Sequence, residues 1–308
     1  MNATIEILHS SALDKSKWDD CIRSNPNSLI YSYSWYLDAM AEDWYALVVG
    51  NYETVMALPV KRKFGMRMTG MPAFTQRFDI SGPYNLATKQ RIAQAVLKFS
   101  KLIQINTSEE KIFEGFSKRK RTNFFLDLSD SYEDIFNNYS EVCKKNLRQA
   151  AKRGCTLRDE VSIDEMLCLY QNAYGTLSSY TEKHYSKFRS LVQFAKEKNF
   201  CHFSSVVDEV GDTVYAGVLL DDGRRLYYMM GAPTEKGRHM RSTYFFMDAM
   251  IRRFAGSRAI FDFEGSDIPT VAKFYQSFSP QTEHYWEFYI NQYPFPFNKM
   301  IDHKLKTF

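Results

Sequence analysis

Asp262 and Glu264 stand two apart at the end of the β-rich segment that begins at Ala259, and Gly265 follows directly. On a strand, that spacing sends both side chains to the same face. A carboxylate held there, with its pKa raised by burial, is suited to take the proton of an attacking amine. The competing reading is structural, with both residues capping the next turn or pairing with Arg258 or Lys273. Glu264 leads the pair because Gly265 ends the strand beside it. Tyr275, one helix later, is a candidate to protonate a leaving group or hold a substrate, although most of the 20 tyrosines must serve the core. No serine or cysteine stands in a G-x-S-x-G context, which favours direct transfer over an acyl-enzyme. The six histidines are dispersed with no H-x-H or H-x-x-x-H spacing, so a metal site is not expected.

Several elements must position these residues. Residues 11–44 read as two short amphipathic helices around Asn25-Pro26-Asn27, and 45–50 with 53–60 as an antiparallel hairpin. Residues 61–84 read as irregular, 90–103 as a helix and 123–128 as a strand. Ser131-x-x-Asp134 opens a helix expected to run to Arg153 and to stop at Gly154. Helices are expected over 162–174 and 183–198. The segments 201–207, 213–220 and 226–230 then read as a three-stranded antiparallel meander, split by Gly211-Asp212 and Asp221-Asp222-Gly223. A loop over 231–241 leads to a helix over 242–254, a strand over 259–263, a helix over 268–278 and a strand over 285–290. The proline-interrupted Tyr293-Pro-Phe-Pro-Phe297 reads as an irregular surface strap.

Composition sets the frame for these elements. The 308 residues carry 44% hydrophobic and 25% charged side chains, an ordinary globular balance that excludes wholesale disorder. The net charge of +4 is mild, but Lys118–Arg158 holds ten Lys/Arg against five Asp/Glu, a local +5 that leaves the rest at −1. Lys118-Arg-Lys-Arg121 is compact, and Lys145, Arg148 and Lys152 share one helix face. They form a candidate surface for an anionic partner such as RNA, with a solvated face as the plainer reading. The five cysteines are scattered with no C-x-x-C pair, the pattern of free thiols in a reducing compartment. No apolar run is long enough to cross a bilayer and the first ten residues lack the pattern of a signal peptide, so a cytoplasmic protein is expected.

The order of the second half, three antiparallel strands, a Gly-containing loop, a helix, a strand, a helix and a strand, resembles the GNAT acyl-CoA N-acyltransferase superfamily. Further segments narrow the resemblance: Trp18 with Ser34-Trp35, Leu126-Asp-Leu-Ser129, Lys144-Lys-Asn-Leu-Arg-Gln-Ala-Ala-Lys-Arg-Gly154, and Phe261-Asp-Phe-Glu-Gly265 with Phe274-Tyr-Gln-Ser-Phe278. They are similar to the FemAB-like branch, in which two GNAT-like domains share a chain and some members transfer amino acids from aminoacyl-tRNA onto peptidoglycan precursors. Pro72-x-Phe-Thr-Gln76 and Asp262-Phe-Glu-Gly-Ser266 look closest to its uncharacterised bacterial acetyltransferase-like members. The resemblance spans nearly the whole chain and implies an α/β (α+β) fold of tandem GNAT-like domains. Each would hold a mixed, mostly antiparallel sheet flanked by helices, with domains over 1–125 and 126–308.

In that superfamily, the loop after the central strand holds the pyrophosphate of coenzyme A, since a helix N-terminus offers unpaired N–H groups to phosphate. The resemblance therefore makes acyl-CoA the implied donor and Lys236, Gly237, Arg238, Arg241 and Ser242 its implied contacts. Only Gly237 survives of the glycines usual in that loop. Tyr228 lies where the acyl chain would run, and His239 sits within the loop as a substrate-binding candidate. The function implied is an N-acyltransferase that moves an acyl or aminoacyl group directly to a small-molecule or peptide amine. The alternatives are an aminoacyl-tRNA-dependent peptidyltransferase, whose tRNA would use Lys118–Arg158, and a catalytically silent small-ligand-binding protein built on the same scaffold.

Overall fold

A computed structural model describes residues 3–63, 65–159, 161–176 and 179–305. In chain order it begins with β1 (Ile5–His9), α1 (Lys15–Ser24), α2 (Ser34–Met40), β2 (Asp43–Val49), β3 (Thr54–Lys63), β4 (Met66–Gly70), α3 (Leu86–Phe99) and β5 (Leu102–Thr107). Next come β6 (Lys118–Asp127), α4 (Tyr132–Asn138), α5 (Glu141–Lys152), β7 (Thr156–Arg158), α6 (Ile163–Tyr174) and α7 (Glu182–Glu197). The strands β8 (Cys201–Val207), β9 (Thr213–Asp221) and β10 (Arg225–Pro233) precede α8 (Glu235–Met240), α9 (Ser242–Phe254) and β11 (Ile260–Asp262). The chain closes with α10 (Pro269–Gln276), β12 (Gln281–Asn291) and α11 (Phe297–Leu305).

Two compact units result, Met1–Arg121 with His284–Phe308 as the first and Thr122–Glu283 as the second. The sequence reading carried the second half from 126 to 308, whereas the segment from His284 groups with the first unit, where β12 pairs antiparallel with β5 from Trp286↔Thr107 to Asn291↔Leu102. Within the first unit the strand order is β1-β2-β3-β4-β5-β12. Its pairings are antiparallel except β4 with β5, which run parallel from Met68↔Leu102 to Gly70↔Gln104. The order within the second unit is β7-β8-β9-β10-β11-β6. Again every pairing is antiparallel except one, β10 with β11. Both units thus carry the mixed, mostly antiparallel sheet expected of tandem GNAT-like halves.

Local chemistry explains most element boundaries. Asp14, Asn85 and Ser162 each accept a backbone N–H from the first turn of α1, α3 and α6, as good N-caps do. Pro269 at the first turn of α10 sits where its missing N–H costs nothing. The helix expected from Ser131 to Arg153 is in fact two. Tyr139 and Ser140 are extended, and the Ser140 hydroxyl accepts the Cys143 N–H to cap α5. The break lets buried Tyr139 set its ring edge against Phe278, 5.2 Å away between centroids. Gly154 follows α5 at φ +71°, a backbone state that glycine enters without penalty.

Three further expectations are corrected. Residues 231–241 are not a loop, since β10 runs to Pro233 and α8 occupies Glu235–Met240. Residues 61–84, read as irregular, contain the end of β3 and all of β4. The tail is irregular only up to Pro296, after which α11 forms. The core of the second unit gathers Phe246, Met247, Met250 and Ile251 of α9 with Phe261, Phe263 and Phe278. All five cysteines are free, with Cys143 and Cys155 buried. No helix among the described residues is long and apolar enough to cross a membrane.

Candidate functional site

The second unit concentrates its polar chemistry where β10 and β11 part. The two pair in parallel for only three positions, Arg225↔Ile260, Leu226↔Phe261 and Tyr227↔Asp262. Beyond them β10 continues along β9, with a register shift between Tyr228 and Met230. The chain after β11 turns away through two consecutive left-handed residues, Glu264 at φ +64° and Gly265 at φ +66°. A Cβ on residue 265 would stand 2.4 Å from the Thr122 carbonyl oxygen, so only glycine fits there. Left-handed backbone at a non-glycine residue is a strained state that surrounding structure must hold.

This turn separates the two carboxylates that the spacing had put on one face. Asp262 is buried and binds Arg225 Nη1 at 2.5 Å, with Asn123 Nδ2 donating at 3.0 Å and the Glu264 backbone N–H at 2.8 Å. Glu283 joins the cluster, accepting from Arg225 Nη1 at 3.0 Å and from Asn123 Nδ2 at 2.8 Å. Burial by itself would push the Arg225 guanidinium down, but Asp262 and Glu283 outweigh it and hold the group charged, well above its ordinary value. Asp262 is therefore fully engaged in an ion-paired, hydrogen-bonded cluster, whereas Glu264 lies within electrostatic reach of Tyr275.

Tyr275 belongs to a cluster of phenols. Burial raises its pKa well above the ordinary value, with Tyr228, Glu264, Tyr174 and Tyr170 adding to the effect. Burial likewise raises Tyr228 and Tyr215. The hydroxyls of Tyr215 and Tyr228 hydrogen-bond to each other above Gly231, where an added Cβ would stand 2.2 Å from one and 2.6 Å from the other. All three phenols therefore stay protonated, and within the Tyr215–Tyr228 pair one hydroxyl donates to the other. Among the described residues the Tyr275 hydroxyl has no hydrogen-bond partner. On α6, Tyr170 and Tyr174 stack edge to face at 5.3 Å, and the Arg238 guanidinium lies 5.3 Å from the Tyr174 ring centre. Tyr227, the neighbour that alternation sends to the other face, is fully buried and donates to Asp222.

The residues expected to hold phosphate are distributed differently. Lys236 pairs with Asp208. The Gly237 N–H donates to the Thr234 hydroxyl, and its missing Cβ leaves room for the Val214 carbonyl, which would otherwise be 1.9 Å away. Ser242 is buried, donating to the Gly237 and Val214 carbonyls. Arg238, His239 and Arg241 are exposed, with Arg241 at φ +65° between α8 and α9. The structure thus sets Glu264 within electrostatic reach of Tyr275, packs Tyr275 and Tyr228 in one core cluster, engages Asp262 with Arg225 and Asn123, and leaves Arg238 and Arg241 as exposed cations of the α8–α9 junction. Among the described residues no three His, Cys, Asp or Glu gather as a metal site.

In the basic segment, Lys118 pairs with Glu110, and Arg119 and Arg121 with Glu287, within the first unit. Lys145, Arg148 and Lys152 stand exposed on α5. Sequence reasoning missed Tyr170, Tyr174, Tyr215 and the Arg225 cluster. Two signals were available: tyrosines four apart on one helix share a face, and glycine inside a strand, as at Gly217 and Gly231, marks a close approach.

No family model matches the sequence, and no curated protein sequence is similar to it. Solved structures do match, and they show what the fold is similar to. The structure of FemX aligns over 96% of this chain and 100% of its own, with a TM-score of 0.67 at 13% identity. A conserved protein of unknown function from Bacteroides thetaiotaomicron aligns over 90% and 98%, with a TM-score of 0.58 at 9% identity. The C-terminal domain of a putative lysylphosphatidylglycerol synthetase from Agrobacterium fabrum aligns over 95% of each chain, with a TM-score of 0.55 at 10% identity. At these identities the likeness is one of fold.

Proposed function

We propose that the chain is an N-acyltransferase of the GNAT/FemAB-like type that moves an acyl or aminoacyl group directly from an activated donor to a substrate amine. The observation that supports this reading is the left-handed turn after β11 that holds Glu264 within electrostatic reach of Tyr275, with Tyr228 packed against the same core, on a FemX-like fold. The amine nitrogen attacks the donor carbonyl while Glu264 takes the amine proton. The tetrahedral intermediate collapses by breaking the bond to the leaving group, which takes the Tyr275 phenol proton as that hydroxyl regains one from Glu264, so both groups return to their starting state. Tyr228, steadied by Tyr215, orients the reactants. Acyl-CoA is the donor of first choice, with Arg238 and Arg241 as the cations that meet its phosphates. Lys236 is already held by Asp208, and Gly237 and Ser242 are packed inward.

A second reading, aminoacyl-tRNA as donor, is favoured by the exposed stripe of Lys145, Arg148 and Lys152 on α5. A third, a binding protein without chemistry, rests on the same phenol cluster. The discriminating experiment is thermal stability of the purified protein with acetyl-CoA, CoA and bulk tRNA at two salt concentrations, followed by amine acylation with whichever donor binds. A shift with the CoA species supports the first reading. A shift with tRNA alone that fades with salt moves the assignment to the second, and no shift leaves the third. With an active donor, Glu264→Gln is expected to lower kcat by about 10²–10⁴-fold and Tyr275→Phe by a smaller factor, at unchanged melting temperature. Undiminished turnover in Glu264→Gln sinks the base assignment.

A further inference from the structure

We infer that the C-terminal segment of the first unit docks on an anionic lipid bilayer surface, an inference independent of the transferase reading. Phe295, Phe297 and Met300 are 81%, 58% and 54% exposed within six residues, next to a groove of about 430 Å³ lined by Met66, Tyr293, Pro294, Phe297, Met300 and Lys304. This exposure is built in, because the inner face of α11 is pinned. Ile301 is buried with Met68, Leu102 and Tyr289. The Asp302 carboxylate accepts from the Tyr289 hydroxyl at 2.6 Å and from Asn291 Nδ2 at 2.7 Å, and Asn291 also donates to the Asn298 carbonyl at 3.1 Å. With that face fixed, Phe297 and Met300, three apart on the helix, face outward together with the proline-flanked Phe295.

The charges around this apolar tip are cationic. Among the described residues from Gln292 to Leu305 the segment holds Lys299 and Lys304 against the single acid Asp302, which is engaged inward. Lys101 adds a third cation, 5.8 Å from the Tyr293 ring centre. Exposed aromatic tips bordered by lysines match the boundary of a bilayer, where rings enter the acyl region and cations meet lipid phosphates. A second copy fits less well, since a two-fold pairing of this patch would set the same lysines against each other.

The test is co-sedimentation with vesicles of phosphatidylcholine alone and of phosphatidylcholine with a quarter phosphatidylglycerol. The expected result is binding to the anionic vesicles that weakens with salt. A Phe295→Ser/Phe297→Ser variant should lose about tenfold or more of it. Lys299→Glu/Lys304→Glu should lose about fivefold or more per lysine. Phe295 is so exposed that Phe295→Ser alone, checked by an unchanged melting temperature, serves if the double variant does not fold. No binding by the unaltered protein, or equal binding by the phenylalanine variants, overturns the inference. So does concentration-dependent self-association that the Phe295→Ser change abolishes, which would give the patch to a second copy.

Discussion

The two units share a pairing pattern, with one parallel pair among antiparallel ones, but not what stands after that parallel pair. In the first unit, β5 runs on to Thr107, and the carboxylate that follows, Glu109, is engaged by Lys89 Nζ at 2.9 Å and by the Tyr84 hydroxyl. In the second, β11 ends after three residues and the left-handed Glu264-Gly265 turn sets a carboxylate near a cluster of protonated tyrosines. The same pairing pattern therefore yields an ion-paired strand end in one unit and a candidate reaction site in the other. Topology supplies the place, and a few side chains and a short strand decide the chemistry.

The largest expected effect tests whether the Arg225 cluster is the foundation of the second unit's site. Arg225→Ala leaves the buried Asp262 carboxylate without its cation and is expected to cost about 3–5 kcal/mol of stability, read by urea unfolding. Glu109→Gln in the first unit is the matched control, expected to cost about 1 kcal/mol or less, because a pair about one-fifth exposed is partly screened. Equal losses at the two positions would erase the contrast between the units.

A smaller effect separates the phenol pair from mere packing. Gly231→Ala drives a methyl group into the Tyr215 and Tyr228 hydroxyls and is expected to cost about 1–3 kcal/mol. If Tyr228 orients the reactants, transfer falls further than this stability loss explains. A variant with lower stability but wild-type turnover would make Tyr228 a packing residue.

The smallest effect is a pH dependence confined to the first unit. At Glu287 burial acts to raise the pKa, but the Gln104 hydrogen bond and the Arg119 and Arg121 charges prevail and hold it below its ordinary value of 4.5. A carboxyl whose folded pKa is depressed contributes stability above the unfolded value and loses it as pH falls through the folded one. Glu287→Gln should therefore flatten the acid limb of the stability profile below about pH 4.5, as measured by thermal unfolding across that range. An unaltered acid limb would mean that Glu287 does not set it.

Much of the framework was legible because it depends on near neighbours in sequence. The α9 helix over 242–254 follows from its apolar repeat, and the α4 start follows from the Ser131 hydroxyl accepting the Asp134 N–H. The stop at Gly154 follows from its left-handed backbone. The break at Tyr139-Ser140 was not legible, since it depends on a ring from Phe278, far along the chain. Nor was α8, whose Thr234 cap accepts the Gly237 N–H inside a segment that looks glycine-interrupted.

Near neighbours in sequence decide where most of the helices begin and end and which residues face a core, and they offer Glu264, Tyr228 and Tyr275 as candidates in the second half of the chain. Tertiary structure alone decided which charges were engaged. Asp262 and Glu264 look equivalent two residues apart, yet Arg225 and Asn123 bind Asp262, while a left-handed turn sets Glu264 within electrostatic reach of Tyr275. Lys236 looks like a phosphate ligand until Asp208 is brought beside it. The physical reason is that electrostatic and hydrogen-bond energies depend on separation in space, and these partners lie tens of residues apart along the chain.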